Sequence, residues 1–113
     1  MGAKPETRTE IPPGTLYLLI LRILSRERMH GYGIAQRIQQ ISEEILQVEE
    51  GSLYPALQRM LIKGWVKAEW GQSENNRRAR YYSLTPAGRK QLSLEISQFD
   101  RVTQAIARVI QLA

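Results

Sequence analysis

The sequence predicts an α+β chain built from three short helices, a two-stranded hairpin and a long final helix. Three observations carry this prediction. Apolar residues recur at helical spacing in separate stretches near 15–26, 31–41 and 51–64. Between Trp65 and Leu84 the period changes to two, with the turn-rich GQSENNRR between the halves. From Pro86 onward an apolar stripe at alternating intervals of four and three runs to the chain end. A length of 113 residues allows one folded domain. We read an arm over 1–14, a domain over 15–85 and a terminal helix over 86–113.

Pro12-Pro13-Gly14 closes the arm, which reads as flexible, and Thr15 is placed to cap the helix that follows. Leu16–Leu24 reads LYLLILRIL. It is apolar nearly all round, which predicts burial on most sides and, in so short a chain, against a second subunit. Arg22 breaks this run of nine residues, well below the roughly 20 that span a bilayer. The N-terminal segment has no apolar stretch of signal-peptide kind, so the expectation is a cytoplasmic protein without membrane contact.

His30-Gly31-Tyr32-Gly33 breaks and restarts the chain, with His30 as a structural residue at a helix start. Ile34, Ile38, Ile41 and Ile45 then recur at helical intervals, predicting a helix over 31–41 with a turn or short helical extension through 42–50. In GSLYPALQRMLIKG the stripe is Leu53, Leu57, Met60 and Leu61. Proline is tolerated in a first helical turn, so Pro55 sets the start near Gly51 or Ser52, and Gly64 sets the stop. The opposite face carries Ser52, Pro55, Gln58, Arg59 and Ile62, with Tyr54 at one edge and Lys63 at the other.

Val66, Ala68 and Trp70 alternate on one strand, and ARYYSL over 79–84 returns. Thr85-Pro86 has the cap and first-position residues of a helix. That helix places Leu92, Ile96, Phe99, Thr103, Ile106, Ile110 and Ala113 on a heptad stripe, widened by Val102 and Val109. An uncovered stripe of this length would be an apolar patch that soluble monomers avoid, so a homodimer is expected.

Charge adds to this layout. The chain has 16 Lys+Arg against 11 Asp+Glu. Residues 1–50 carry net −1, residues 51–64 net +2, residues 65–90 net +4, and the remainder zero. The excess therefore lies in residues 51–90, in the middle of the chain, which points to an anionic partner at one region. Cysteine is absent and His30 is the one histidine, which excludes thiolate metal sites and a cysteine nucleophile. No metal, cofactor or catalytic residue is expected, and no enzyme activity. The Glu43, Glu44, Glu49 and Glu50 cluster reads as a solvated turn.

A helix–turn–helix followed by a hairpin is the layout of a winged helix, whose third helix enters a DNA major groove. Arg59 suits guanine O6/N7 or a phosphate, and Gln58 suits adenine N6/N7. The Ser52 and Tyr54 hydroxyls stand at a helix N-terminus, where phosphate is favoured. Ile62 suits a thymine methyl. Arg77, Arg78 and Arg80 place three positive charges on the hairpin. The competing reading is a winged-helix protein-interaction module without DNA binding, against which these exposed arginines argue.

At this point the sequence resembles the PadR family of bacterial transcriptional regulators, in its short form with a single C-terminal dimerisation helix. The matching segments are TLYLLILRIL, HGYGIAQRI, GSLYPALQRM, GWVKAEWG and ENNRRARYYSLTPAGRKQL, in order and at family spacing. The resemblance implies a dimeric winged-helix repressor on a near-palindromic operator in double-stranded DNA, released by a small aromatic or drug-like effector. It implies DNA contacts from Tyr32, from Ser52, Tyr54, Pro55, Gln58 and Arg59, and from Asn76, Arg77, Arg78 and Arg80. It also implies a dimer interface that joins Leu16, Leu19 and Ile20 of the first helix to Leu92, Ile96, Phe99, Thr103, Ile106 and Ile110. Family members with a stacking drug pocket use a tryptophan in the terminal helix; this chain has Phe99 as its one aromatic residue there.

Overall fold

The computed structural model describes residues 9–12 and 14–112. Most of the expected arm, and Ala113 of the heptad stripe, lie outside these residues. Thr9–Glu10 (β1), expected within the free arm, is instead a two-residue strand whose Thr9 N–H donates to the Ile45 carbonyl at 2.6 Å. Leu16–Leu24 (α1) is the first helix. Thr15 does not cap it. Its hydroxyl donates to the Pro12 carbonyl at 2.7 Å and its backbone is already near-helical, so no oxygen is turned toward the first free N–H groups. Ile20, Leu21 and Leu24 are buried, and the other leucines and isoleucines of α1 are half-buried.

Met29–His30 (β2) was not anticipated; two residues are too few for a periodicity to register. Gly31–Ile41 (α2) begins where predicted, because the His30 Nδ1 accepts the Gly33 N–H at 3.0 Å. The expected isoleucine stripe is shorter than its spacing suggested. Ile34 and Ile38 are buried, but Ile41 and Ile45 are exposed. Glu43 and Glu44 adopt left-handed backbone (φ 54° and 69°), which ends the helix before any extension. Leu46–Gln47 (β3) follows and pairs in parallel with β1.

Glu50–Ile62 (α3) starts earlier than Pro55 implied. Pro55 therefore sits beyond the first turn, opposite the Gly51 carbonyl it cannot serve. Both residues face outward, so water can satisfy that carbonyl and the helix persists. Leu53, Ala56, Leu57 and Met60 enter the core. Gly64 takes the left-handed conformation (φ 77°) that ends the helix without a Cβ clash.

Val66–Gln72 (β4) and Arg78–Leu84 (β5) form an antiparallel hairpin. The strands reach further toward the tip than the sequence pattern indicated, leaving a turn over 73–77. Ser73 organises it: its carbonyl accepts the Asn76 N–H at 2.9 Å, and its N–H donates to the Arg77 carbonyl at 2.8 Å. β2 adds to the far side of β5, giving the order β2-β5-β4. Val66 and Tyr82 bring the core-facing side of this sheet against the helices.

Pro86–Ile110 (α4) opens on the predicted cap, with Thr85 Oγ1 accepting the Gly88 N–H at 3.0 Å. The same hydroxyl donates to the Gly64 carbonyl at 2.6 Å, and the Thr85 N–H donates to the Trp65 carbonyl at 3.1 Å. Gly88 is buried against that carbonyl. The expected interface residues Ile20 and Leu92 are both packed into this chain's own core. Ile20 is fully enclosed, and Leu92 lies in the turns of α4 nearest the clamp. Beyond Leu92 the helix leaves the body, and residues 96–112 are exposed throughout.

A Cβ on Gly88 would run into the Trp65 carbonyl oxygen. Gly88→Ala is expected to destabilise the chain by about 1–3 kcal/mol, as overpacking against backbone does. Urea denaturation followed by circular dichroism measures it, and an unchanged midpoint contradicts the rigidity of this junction.

Candidate nucleic-acid interface

The register of the hairpin explains how a basic surface grows out of the core. Leu84, Tyr82, Arg80 and Arg78 share one face of β5, because side chains two apart point the same way. That face starts against the helices and ends in solvent. On β4, Ala68 and Trp70 lie opposite Tyr82 and Arg80. Trp70 is exposed, and its ring lies under the Arg78 guanidinium at 4.6 Å. The aromatic ring thus supports a cation at the hairpin instead of adding to the core.

Between this hairpin face, the start of α2 and the start of α3 is a concavity of about 440 Å³. Tyr32, Gln36, Tyr54, Arg77, Arg78 and Arg80 line it, with His30 and Tyr82 at its base. Gly31 makes room for Tyr54, since a Cβ there would stand 2.8 Å from the Tyr54 ring. Tyr54 is 44% exposed and Tyr32 60%. Burial pushes the Tyr54 phenol above its ordinary value, and the Glu50 carboxylate and Tyr82 push it the same way. Its hydroxyl therefore stays neutral over the physiological range and keeps a proton to donate. Neutral hydroxyls beside guanidinium groups form a socket for an anion carrying several oxygens.

The structure brings five of the expected contact residues together here: Tyr32, Tyr54, Arg77, Arg78 and Arg80. The others stand elsewhere. Ser52, Pro55, Gln58 and Arg59 are exposed on α3 outside the concavity, as is Ile62 at 77%. Asn76 is exposed at the hairpin tip in left-handed backbone (φ 62°). Sequence reasoning missed two participants. Gln36 lies one helical turn after Tyr32, so its spacing could have marked it. Tyr17, on α1, accepts a hydrogen bond from Arg59 Nε at 2.6 Å. No local signal joins residues so far apart in sequence, although Tyr17 is the one hydroxyl in LYLLILRIL.

Among the described residues no cluster of His, Cys, Asp or Glu is placed to hold a metal ion. Among the same residues no helix is long and apolar enough to cross a membrane.

Comparison with known proteins agrees with the fold. The sequence model of the transcriptional regulator PadR-like family matches residues 20–94. A transcriptional regulator from Clostridium thermocellum superposes with a TM-score of 0.80 at 26% identity, covering 87% of this chain and 95% of that one. A PadR family transcription regulator from Clostridium difficile superposes with a TM-score of 0.74 at 29% identity, covering 86% and 99%. An uncharacterized protein of Lysinibacillus sphaericus is 29% identical over 99 residues, 88% of this chain and 91% of that protein.

The raised Tyr54 pKa has a stability consequence. Below the ordinary tyrosine value of 10.0 the phenol is neutral in both the folded and unfolded states, and its contribution is fully present. As pH rises, the unfolded chain ionises first and that contribution is lost through the higher folded value. Stability of the native chain relative to Tyr54→Phe should therefore hold below the ordinary tyrosine value of 10.0 and fall as pH rises past it, read by urea denaturation. A pH-independent difference contradicts it.

Proposed function

The chain belongs to the PadR-like family of transcriptional regulators, and from that premise we propose that it is a homodimeric, sequence-specific DNA-binding repressor released by a small-molecule effector. The observation that carries this reading is the concavity shared by Tyr32, Tyr54 and the hairpin arginines, beside the exposed face of α3. In the proposal α3 lies in the major groove, with Ser52, Pro55 and Gln58 toward base edges and Arg59 toward a base or phosphate. A backbone phosphate enters the concavity, and Asn76 stands at the hairpin tip beside the sugar–phosphate chain.

The dimer follows from α4. At 1.5 Å per residue its 25 residues extend about 37 Å, and most of that length leaves the body. Ile96, Phe99, Ile106 and Ile110 are 40%, 43%, 51% and 76% exposed on this part, in one stripe with Thr103. A second copy of the same helix covers such a stripe, and the half-buried Leu16 and Leu19 of α1 are the surface offered to the partner. Two such heads reach half-sites about 34 Å apart on a near-palindromic operator. We read residues 15–85 as the DNA-binding unit and 86–113 as the dimerising helix. An effector, aromatic or drug-like, releases the DNA by favouring a dimer geometry in which that spacing is wrong.

Two outcomes are expected. Fluorescence anisotropy on duplexes enriched from a random library should show salt-sensitive binding. Arg77→Ala with Arg78→Ala should weaken it on all sequences alike and flatten the log–log salt slope by about 2. No preference over random duplex at any salt sinks the proposal, and an unchanged slope removes the hairpin from the contacts. In sedimentation velocity the native chain should run as a dimer at micromolar concentration and Ile106→Asp as a monomer. A native monomer, with and without duplex, would overturn the dimer.

A further inference from the structure

Arg59 lies on the exposed side of α3, near its C-terminal end, yet its head is not free. Its Nε–H donates to the Tyr17 hydroxyl of α1 at 2.6 Å. The guanidinium carbon is 5.9 Å from the centre of the Tyr17 ring, so the two meet at the hydroxyl tip and not by stacking. Tyr17 is in turn fixed. It is half-buried, and its ring meets Trp65 edge-to-face with centroids 5.6 Å apart and planes at 83°. Trp65 follows the glycine that ends α3, and the first turn of α4 is clamped to its carbonyl. The tyrosine that holds Arg59 therefore stands on the junction where the end of α3, the start of β4 and the first turn of α4 meet.

This contact decides what Arg59 can offer. A guanidinium has two edges that grip paired acceptors: one formed by Nε with a terminal nitrogen, the other by the two terminal nitrogens. Tyr17 occupies Nε and so removes the first edge. The second edge remains, with its N–H groups pointing away from the tyrosine. A fork presented end-on matches two acceptors side by side, such as guanine O6 and N7 or two phosphate oxygens. Holding the head in advance also removes much of the rotamer entropy that a free arginine loses on binding.

We propose that Tyr17 is a positioning residue that presents Arg59 end-on to a guanine base and makes it specificity-determining. The inference rests on the reading of α3 as a DNA-contacting helix. Tyr17 itself touches no DNA, and it acts from a helix that sequence motifs assign to packing and dimerisation.

The test uses the full chain and a duplex enriched by the native protein from a random library, with a scrambled duplex as control. Tyr17→Phe keeps the ring on Trp65 and removes the hydroxyl. It should weaken binding to the enriched duplex by roughly tenfold while leaving the scrambled duplex within about twofold, the size of one lost paired base contact. In an Arg59→Ala background the same change should cost nothing further. Arg59→Lys is a second variant on an exposed position, so folding is not at stake. It keeps the charge without the fork and should lose the same discrimination. The proposal is overturned if Tyr17→Phe or Arg59→Lys discriminates like the native chain. It is equally overturned if the tyrosine effect persists without Arg59, or if both duplexes weaken together with a lowered melting midpoint. If the native protein enriches no sequence at all, the DNA-binding reading fails first, and that result is distinguishable from the others.

Discussion

The junction at Gly64–Trp65 holds the rest of the molecule in place. There the end of α3, the start of β4 and the first turn of α4 meet through backbone groups. Thr85 both caps α4 and reaches the Gly64 carbonyl, while its N–H takes the Trp65 carbonyl. The bond from the Thr85 N–H to the Trp65 carbonyl joins backbone to backbone, so no rotamer change relieves it. The absence of a Cβ at Gly88 lets α4 sit this close. The angle at which the long helix leaves the body is thereby fixed relative to α3. In the proposed dimer, that angle sets where two α3 helices stand.

The core supporting this junction is small and shared by every helix. Ile20, Leu21, Ile34, Leu53, Leu57 and Met60 are the largest fully buried side chains, and they come from α1, α2 and α3. No polar side chain is buried with them among the described residues. Chemistry is confined to the rim, where core residues give way to solvent along continuous elements. The hairpin shows this most clearly, since one strand face runs from buried Tyr82 to exposed Arg78. The concavity inherits a rigid floor from the core and charge from the strand ends. Such a site needs little reorganisation when an anion enters.

Much of this was legible in the order of residues, and the reasons are local. His30 and Thr85 announced their helices because each satisfies an N–H three residues on, within a single turn. The third helix and the hairpin followed from periods that differ between helix and strand. The failures are instructive. Pro55 suggested a later helix start, but its outward position lets water serve the unpaired carbonyl. Ile41 and Ile45 continued a helical spacing beyond a turn that two left-handed glutamates impose. The short strands β1, β2 and β3 carry no pattern of their own and exist because a neighbouring segment pairs with them.

The sequence by itself determined the fold class, the Thr85 cap of α4, the location of the excess charge and the apolar stripe of α4, but not the start of α1, where Thr15 turns its hydroxyl to the Pro12 carbonyl. These depend on spacing and side-chain chemistry within a few turns of chain. Tertiary structure alone decided that Ile20 and Leu92 belong to this chain's own core, that Tyr54 and the hairpin arginines share one concavity, and that Tyr17 holds Arg59. Those facts join residues 23 to 42 positions apart or set one element against another. Only the packing of the shared core fixes such distances, because spacing along a chain does not encode which separate segments will meet.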